Sequence, residues 1–396
     1  MAASERQTAA PRIAIAAAGT GGHIYPGLAV AQALRMLEPN VEVWFLTTRR
    51  GLGPDILAQH GERFVVTPGK PAPQAFPWGM GAFAMALARG SLMARRELGR
   101  QRVQALLATG GYGCVPAVAA ARSLRLPVVW QEQNAIPGRA TRLLARWTWV
   151  VALGFEEAAG RLPGAVQNRL RVTGNPVRPD VVRADRAAAQ RKLALNPSKK
   201  TVLVVGASQG ARRFNRALAE AAGRLGTLRQ AQVLASTGRG QFEETARLIR
   251  ERWHEAVVGE GRVQVGGLRV VPYLDDMPAA VAAADLAVSR AGAISLAEFT
   301  ARGVPLVLVP YPHALDAHQD ANARVLERAG AAVVVPDAEL TADRLVELLV
   351  SLLGEPGRLS TMAEASRSLG RPEAAVEVAR LLLEAASGTG SAVRGA

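Results

Sequence analysis

The chain has 396 residues, 49% hydrophobic and 20% charged, a balance that fits a folded globular protein and excludes a disordered chain, a collagen or a coiled coil. At ~100–200 residues per domain it predicts two domains. Lys+Arg number 48 against 33 Asp+Glu, a formal charge of +15, and only Lys70, Lys192, Lys199 and Lys200 are lysines; such an excess points to nucleic acid, an anionic membrane surface or phosphorylated substrates, or else to an arginine-rich composition with no partner behind it.

In chain order, residues 1–11 are polar and lack the apolar core of a signal peptide. Residues 12–18 read as a short buried strand, Gly19-Thr20-Gly21-Gly22-His23 as a glycine loop, 26–37 as a helix and 41–46 as a second strand, which is a βαβ unit of a parallel sheet. Further strands are expected at 105–108, 127–130 and 150–153. The prolines at 176 and 179 break any regular element, which predicts a linker between a first domain, 12–177, and a second, 178–373. The second domain restarts the pattern: strand 201–205, glycine loop 206–210, helix 211–224, then strands at 232–235, 286–289, 305–309 and 332–335. An amphipathic helix at 374–386 is assigned back to the first domain, and the Gly/Ser-rich stretch from Ser387 reads as loose. Cys114 is the single cysteine, so no intramolecular disulfide exists. No apolar run reaches the ~18 residues of a transmembrane helix. A soluble cytoplasmic enzyme is the default expectation.

Each half thus opens with strand, glycine loop and helix. Two doubly wound sheets bind their ligands at the carboxyl ends of their strands, so a cleft lined by both glycine loops is expected. A glycine loop lets backbone approach a ligand, and the following helix offers N–H groups to an anion; one such loop is weak evidence, and two in equivalent places are stronger. A nicotinamide dinucleotide is disfavoured, because the first loop lacks the G-x-G-x-x-G spacing and the second strand ends in Thr47-Thr48-Arg49-Arg50 with no carboxylate. Arg49 and Arg50 leave a 2′-phosphate open. No Walker lysine, metal-spaced ligand cluster or Asp-x-Asp pair occurs, so neither metal nor cofactor is expected. A third glycine region, Ser289-Arg290-Ala291-Gly292, precedes a helix carrying Glu298. That helix terminus suits a diphosphate, and Glu298 can accept two bonds from ribose hydroxyls; alone, it reads more readily as an ordinary acid near a helix start.

The segments Gly19-Thr20-Gly21-Gly22-His23-Ile24-Tyr25-Pro26-Gly27, Gly110-Gly111-Tyr112-Gly113, Glu132-Gln133-Asn134, 174–178, 206–211, Tyr273-Leu274-Asp275-Asp276-Met277, Arg290-Ala291-Gly292-Ala293 with Glu298, and His318-Gln319 stand in one order across roughly residues 12–380. Together they resemble the MurG family, the N-acetylglucosaminyltransferases that make lipid II from lipid I in peptidoglycan synthesis. The resemblance implies an α/β protein of the GT-B fold, two Rossmann-like doubly wound domains facing across a cleft. It implies inverting transfer of GlcNAc from UDP-GlcNAc to the C4 hydroxyl of undecaprenyl-diphospho-MurNAc-pentapeptide. By position, Thr20, Gly21, Gly22, Asn134, Arg178, Ser208, Leu274, Ala293, Ile294, Ser295, Leu296, Ala297, Glu298 and Gln319 would bind UDP-GlcNAc, with Glu298 on the ribose and Leu274 at uracil. Tyr112 would face the acceptor. An anionic cytoplasmic membrane face would be the second partner, with cell-wall synthesis and division proteins as further candidates. Ala18 and Ala207 depart from the family pattern, where glycine is usual; so do Cys114, where serine is common, and Gln131, where histidine is expected.

His23 follows the first glycine loop at a helix N-terminus, where the dipole favours the neutral imidazole that a general base needs. Capping or structural roles weigh equally until the resemblance is added. His313 reads as solvated, His60 and His254 as surface residues, and Asp275-Asp276 as a helix cap before Met277. Between 76 and 102, Phe76, Trp78, Met80, Phe83, Met85, Leu87, Leu92 and Met93 alternate with Arg89, Arg95, Arg96, Arg100 and Arg102. Core packing explains the apolar positions; an anionic bilayer explains both sets. Arg139, Arg142 and Arg146 extend the basic set. The rival readings are a GT-B transferase for a glycolipid or macrolide acceptor, a nucleic-acid binder without a recognised motif, and an NADP oxidoreductase.

Overall fold

The computed structural model describes residues 10–68, 80–206, 211–259 and 261–388. The chain divides into two compact units. The first runs to Arg178 and resumes at Pro372; the second is Pro179–Arg371.

The first unit is built on seven strands: β1 (Arg12–Ala16), β2 (Glu42–Thr48), β3 (Phe64–Thr67), β4 (Ala105–Ala108), β5 (Val128–Glu132), β6 (Val150–Leu153) and β7 (Leu170–Val172). They form one parallel sheet in the order β3-β2-β1-β4-β5-β6-β7. The central strands bury both faces, which is why they read as unbroken apolar runs. Ile13, Ile15, Phe45 and Leu107 pack on one face against α1 (Gly21–Leu37), α2 (Gly53–Gln59) and the last helix (Ala374–Ser387). Ala16, Leu106 and Trp130 pack on the other against α3 (Met80–Arg100), α4 (Val115–Ser123) and α5 (Arg139–Leu144). Gly27 lets α1 lie close on the sheet: a Cβ there would meet Ile15 Cγ2 at 3.1 Å and Phe45 Cε1 at 3.2 Å.

The second unit has strands β8 (Lys200–Val205), β9 (Ala231–Ser236), β10 (Val257–Gly259), β11 (Arg262–Val265), β12 (Leu268–Val271), β13 (Leu286–Ser289), β14 (Leu306–Leu308) and β15 (Ala332–Val334). Their order is β10-β11-β12-β9-β8-β13-β14-β15; β10 and β11 form an antiparallel edge and the rest are parallel. Helices α6 (Pro179–Arg183), α7 (Arg186–Lys192), α8 (Arg212–Gly226), α9 (Phe242–Arg252), α10 (Met277–Ala283), α11 (Ala293–Ala301), α12 (His318–Arg328), α13 (Ala342–Gly354) and α14 (Arg358–Leu369) complete it. Its main core joins Val202 and Val204 to Phe214 and Leu218 of α8, Ile249 of α9 and Leu345 and Leu349 of α13.

The structure corrects the expected boundaries in three places. The first strand ends at Ala16, and α1 starts at Gly21 rather than 26, so Gly21, Gly22 and His23 form its first turn. Pro26 is inside the helix; it forgoes a single bond, to the Gly22 carbonyl, close to the end where unbonded groups are normal. Strands β3, β7, β10, β11 and β12 were not expected: each has three or four residues and lies at or near a sheet edge. The polar stretch 1–9 and the Gly/Ser-rich stretch from 389 lie outside the described residues, as do Phe76 and Trp78. Among the described residues no helix is long and apolar enough to cross a membrane.

Candidate functional site

In the first unit the strand order reverses between β1 and β4, the place where an open parallel sheet offers its crevice. After β1 come Ala17, Ala18 and Gly19, the last at φ +98°, and then α1. After β4 come Thr109 and two left-handed glycines, Gly110 (φ +96°) and Gly111 (φ +77°), followed by exposed Tyr112. The glycines let the second loop close on the first: a Cβ at Gly111 would stand 3.1 Å from His23 Nε2. His23 is half-buried, with Nδ1 3.0 Å from the Thr109 carbonyl oxygen. A carbonyl only accepts, so Nδ1 carries the hydrogen, and the neutral ring has its lone pair on Nε2.

The start of α1 has no acid in its first turn and no side-chain cap from Thr20, which is exposed. Its first amides therefore suit an anion. Gly21 leaves room for the Tyr25 ring, 3.1 Å from where a Cβ would stand. Arg178 lies over that ring, 4.9 Å from the centroid, which brings the linker arginine to the same helix as Thr20, Gly21, Gly22 and His23. Tyr25 went unremarked as a contact residue in the sequence, because nothing local marks it as the platform for a residue over 150 positions away. Asn134 follows β5; its N–H donates to Glu132 Oε1 at 2.9 Å, and Glu132, 4% exposed, also accepts from Gly138 N–H at 3.0 Å and from the Thr141 hydroxyl. Glu132 therefore shapes the loop that holds Asn134.

Three of the four departures from the family pattern have local explanations. Ala18 does not take a left-handed conformation, and its methyl fills the space that Gly113 leaves, where a Cβ would come within 2.3 Å. Cys114 is fully buried; its sulfur lies 2.9 Å from the Gly110 carbonyl oxygen and 3.0 Å from that of Ala16, either of which can accept its one hydrogen, and burial pushes its pKa up to about 12. Gln131 is fully buried and donates to Asn175 Oδ1 at 3.1 Å. Ala207 lies outside the described residues.

In the second unit the order reverses between β8 and β13. The loop after β8 runs into 207–210, so Ser208 lies outside the described residues. The turn after β13 leads through Gly292 into α11, again without an acid in the first turn or a side-chain cap. Ala293, Ile294, Ser295, Leu296 and Ala297 fill its first five positions, and Glu298 is the sixth, 7% exposed. Leu274, also 7% exposed, follows β12. Gln319 in α12 accepts the Tyr311 N–H through Oε1 at 3.0 Å.

Arg290 holds these loops together. Its Nη1 donates to the carbonyls of Val309 (3.1 Å) and Pro310 (3.2 Å) and stands 2.6 Å from Asp337 Oδ1, and its guanidinium lies over Phe214 (4.9 Å) and Tyr311 (5.6 Å). Asp276 caps α10 through the Ala279 N–H at 2.9 Å and pairs with Lys192, while Asp275 pairs with Arg239. Among the described residues no group of His, Cys, Asp or Glu converges as a metal site. His313, His60 and His254 are exposed.

Also in the first unit, α3 turns Gly90, Ala94 and Leu98 inward. Met85 (54% exposed), Leu92 (68%) and Met93 (37%) point outward among exposed Arg89, Arg95, Arg96 and Arg100. Exposed Leu143 lies on α5 between Arg142 and Arg146, also exposed.

Two family models match the chain: the glycosyltransferase family 28 N-terminal domain over residues 13–152 and the glycosyltransferase family 28 C-terminal domain over 201–378. Curated relatives named UDP-N-acetylglucosamine–N-acetylmuramyl-(pentapeptide) pyrophosphoryl-undecaprenol N-acetylglucosamine transferase include that of Moorella thermoacetica, 38% identical over 94% of this chain and 98% of its own. That of Symbiobacterium thermophilum is 37% identical over 94% and 96%. Among solved structures, Acinetobacter baumannii MurG superposes with a TM-score of 0.70 at 28% identity, covering 94% of this chain and 99% of that one. A UDP-GlcNAc 2-epimerase from Neisseria meningitidis gives 0.64 at 13% identity over 94% and 100%, which shows the shared fold alone.

Proposed function

The chain belongs to glycosyltransferase family 28, and from that premise we infer that it transfers GlcNAc from UDP-GlcNAc to the C4 hydroxyl of undecaprenyl-diphospho-MurNAc-pentapeptide, giving lipid II. It has the GT-B fold, two Rossmann-like domains, and it is an N-acetylglucosaminyltransferase of peptidoglycan precursor synthesis. The observation that carries the mechanism is the bond between His23 Nδ1 and the Thr109 carbonyl. It leaves Nε2 as the basic nitrogen of the neutral ring. As the acceptor oxygen attacks the anomeric carbon, its proton passes to Nε2, the bond from that carbon to the diphosphate oxygen breaks, and UDP leaves. One displacement inverts the anomeric centre and needs no nucleophilic side chain.

The donor is held by the second unit. The N-terminus of α11, with Ala293 through Ala297, takes the diphosphate by its dipole and amides, Glu298 accepts from the ribose hydroxyls, and Leu274 lies at uracil, with Gln319 and Ser208 as further contacts. By family position Thr20, Gly21, Gly22, Asn134 and Arg178 are further candidate donor contacts, and Tyr112 is the candidate acceptor contact. The outward apolar and basic face of α3, extended by Arg139, Arg142 and Arg146, supports peripheral docking on the anionic cytoplasmic face of the membrane, where the lipid-linked acceptor resides. Purified protein mixed with UDP-GlcNAc and a lipid I analogue should release UDP only when both are present; release without the acceptor, or none with both, would refute this reading.

A further inference from the structure

The His23 imidazole is held by a chain of buried amides. The Thr109 carbonyl accepts two bonds, from His23 Nδ1 at 3.0 Å and from Gln133 Nε2 at 2.9 Å. The Gln133 backbone carbonyl accepts from Asn175 Nδ2 at 2.9 Å, and Asn175 Oδ1 accepts from Gln131 Nε2 at 3.1 Å. Thr109 and Gln131 are fully buried, Asn175 is 3% exposed and Gln133 5%. Space for Asn175 exists because residue 154 is glycine; a Cβ there would stand 2.3 Å from Asn175 Oδ1. Most of these buried groups find a partner, as buried polar groups generally do; the exception is Gln131 Oε1, which has none, and the chain ends at the carbonyl that meets the imidazole.

Two donors meet at the Thr109 carbonyl. A carbonyl cannot donate, so both the histidine and the glutamine give it hydrogens. The other neutral tautomer would set the Nδ1 lone pair against the carbonyl lone pairs. The weak point is the Thr109 peptide itself, because Gly110 and Gly111 follow it, both left-handed. Glycine backbone rotates with little steric penalty, so the carbonyl needs a second tether to stay on the ring. We propose that Gln133, anchored by Asn175, is the positioning residue for His23: it pins the Thr109 carbonyl on Nδ1 and thereby keeps the basic lone pair on Nε2. The catalytic part of this proposal rests on the reading of His23 as the base.

The test is Gln133→Met, which keeps the volume and removes the donor. It should lower kcat roughly tenfold to a hundredfold, the usual effect of losing a group that orients a histidine ligand, with KM for UDP-GlcNAc unchanged. Nitrogen-15 NMR of the imidazole should find the Nδ1–H tautomer in the parent and a mixture in the variant. In a His23→Ala background the same substitution should cost nothing more. Equal losses in both backgrounds, or a parental kcat with a parental tautomer, would overturn the proposal. The two readings fail separately: a parental kcat in His23→Ala overturns the base, whereas a tautomer unmoved by Gln133→Met overturns the positioning. If Gln133→Met does not fold, Asn175→Ser removes the bond to the Gln133 backbone carbonyl, loosens the Gln133 side chain on the Thr109 carbonyl, and should move the same readouts in the same direction.

Discussion

Replacing Arg290 with methionine keeps most of the stem and removes the guanidinium. Arg290 and Asp337 are 11% and 13% exposed, and their 2.6 Å contact is an ion pair without hydrogen-bond alignment at Asp337 Oδ1. Removing one partner of a buried pair costs about 3–5 kcal/mol, because the other charge is left uncompensated. Here Arg213 also reaches Asp337, at 3.1 Å, so the carboxylate keeps one partner, and the lower end, about 3 kcal/mol, applies. The carbonyls of Val309 and Pro310 lose their donor as well. For a unit of this size each kcal/mol moves Tm by about 2–4 °C, so Arg290→Met should lower the second unit's calorimetric transition by roughly 10 °C. Arg216→Met, which breaks an exposed i,i+4 pair with Glu220, should change stability by less than about 0.5 kcal/mol. Arg290→Met should also raise KM for UDP-GlcNAc, since Val309 and Pro310 lead directly into Tyr311 and its bond to Gln319. An Arg290→Met transition as close to the parent as that of Arg216→Met would refute the buried-pair reasoning.

Glu298→Ala should weaken UDP binding by calorimetry through loss of two charge-assisted bonds of roughly 1.5–3 kcal/mol each; parental affinity would dismiss the ribose contact. His23→Ala should lower kcat by about 10²–10⁴, leave UDP-GlcNAc affinity nearly unchanged and flatten the acid limb of the pH–rate profile, and loss of donor affinity alone would make His23 a binding residue. Reversing Arg89 and Arg96 to glutamate should release the protein from anionic vesicles in a flotation assay, at about 1 kcal/mol per arginine, while sparing UDP binding; Arg95 is a poorer choice because it also bonds Ser123. Cys114 ionises near 9.0 in an unfolded chain and near 12 when buried, so its contribution to stability is complete below pH 9 and is lost as pH rises toward 12. Urea midpoints of the parent should therefore fall over that window more steeply than those of Cys114→Ala.

The first strand-turn-helix and the helix bearing Glu298 were legible because a strand, a tight turn and a helix start are written in a dozen consecutive residues. What the sequence hid is what joins distant segments: Thr109 to His23, Gln133 to Thr109, Asp337 to Arg290. None of these has a local signature, since an amide or carboxylate facing a buried partner looks like one facing water. The missed strands failed for another reason. Strand β7 and edge strand β10 expose most of their residues, and β11 alternates buried and exposed positions, so no apolar run marks them. In α3 the composition permitted core and membrane readings equally, because it does not fix the helix's rotation, which turns Ala94 and Leu98 inward and Leu92 outward. Proline 26 misled by resembling a helix start.

The last helix buries Ala375, Val378, Ala379 and Leu382 in the core that α1 shares with the first sheet. About 190 residues separate it from the rest of that unit. At ~5–20 residues per second, a ribosome needs roughly 10–40 s to cross the interval. Throughout that time the apolar flank of α1 waits uncovered, while the second unit has all the chain it needs to close. Assembly therefore runs against the order of the genetic message: the half translated first is finished last.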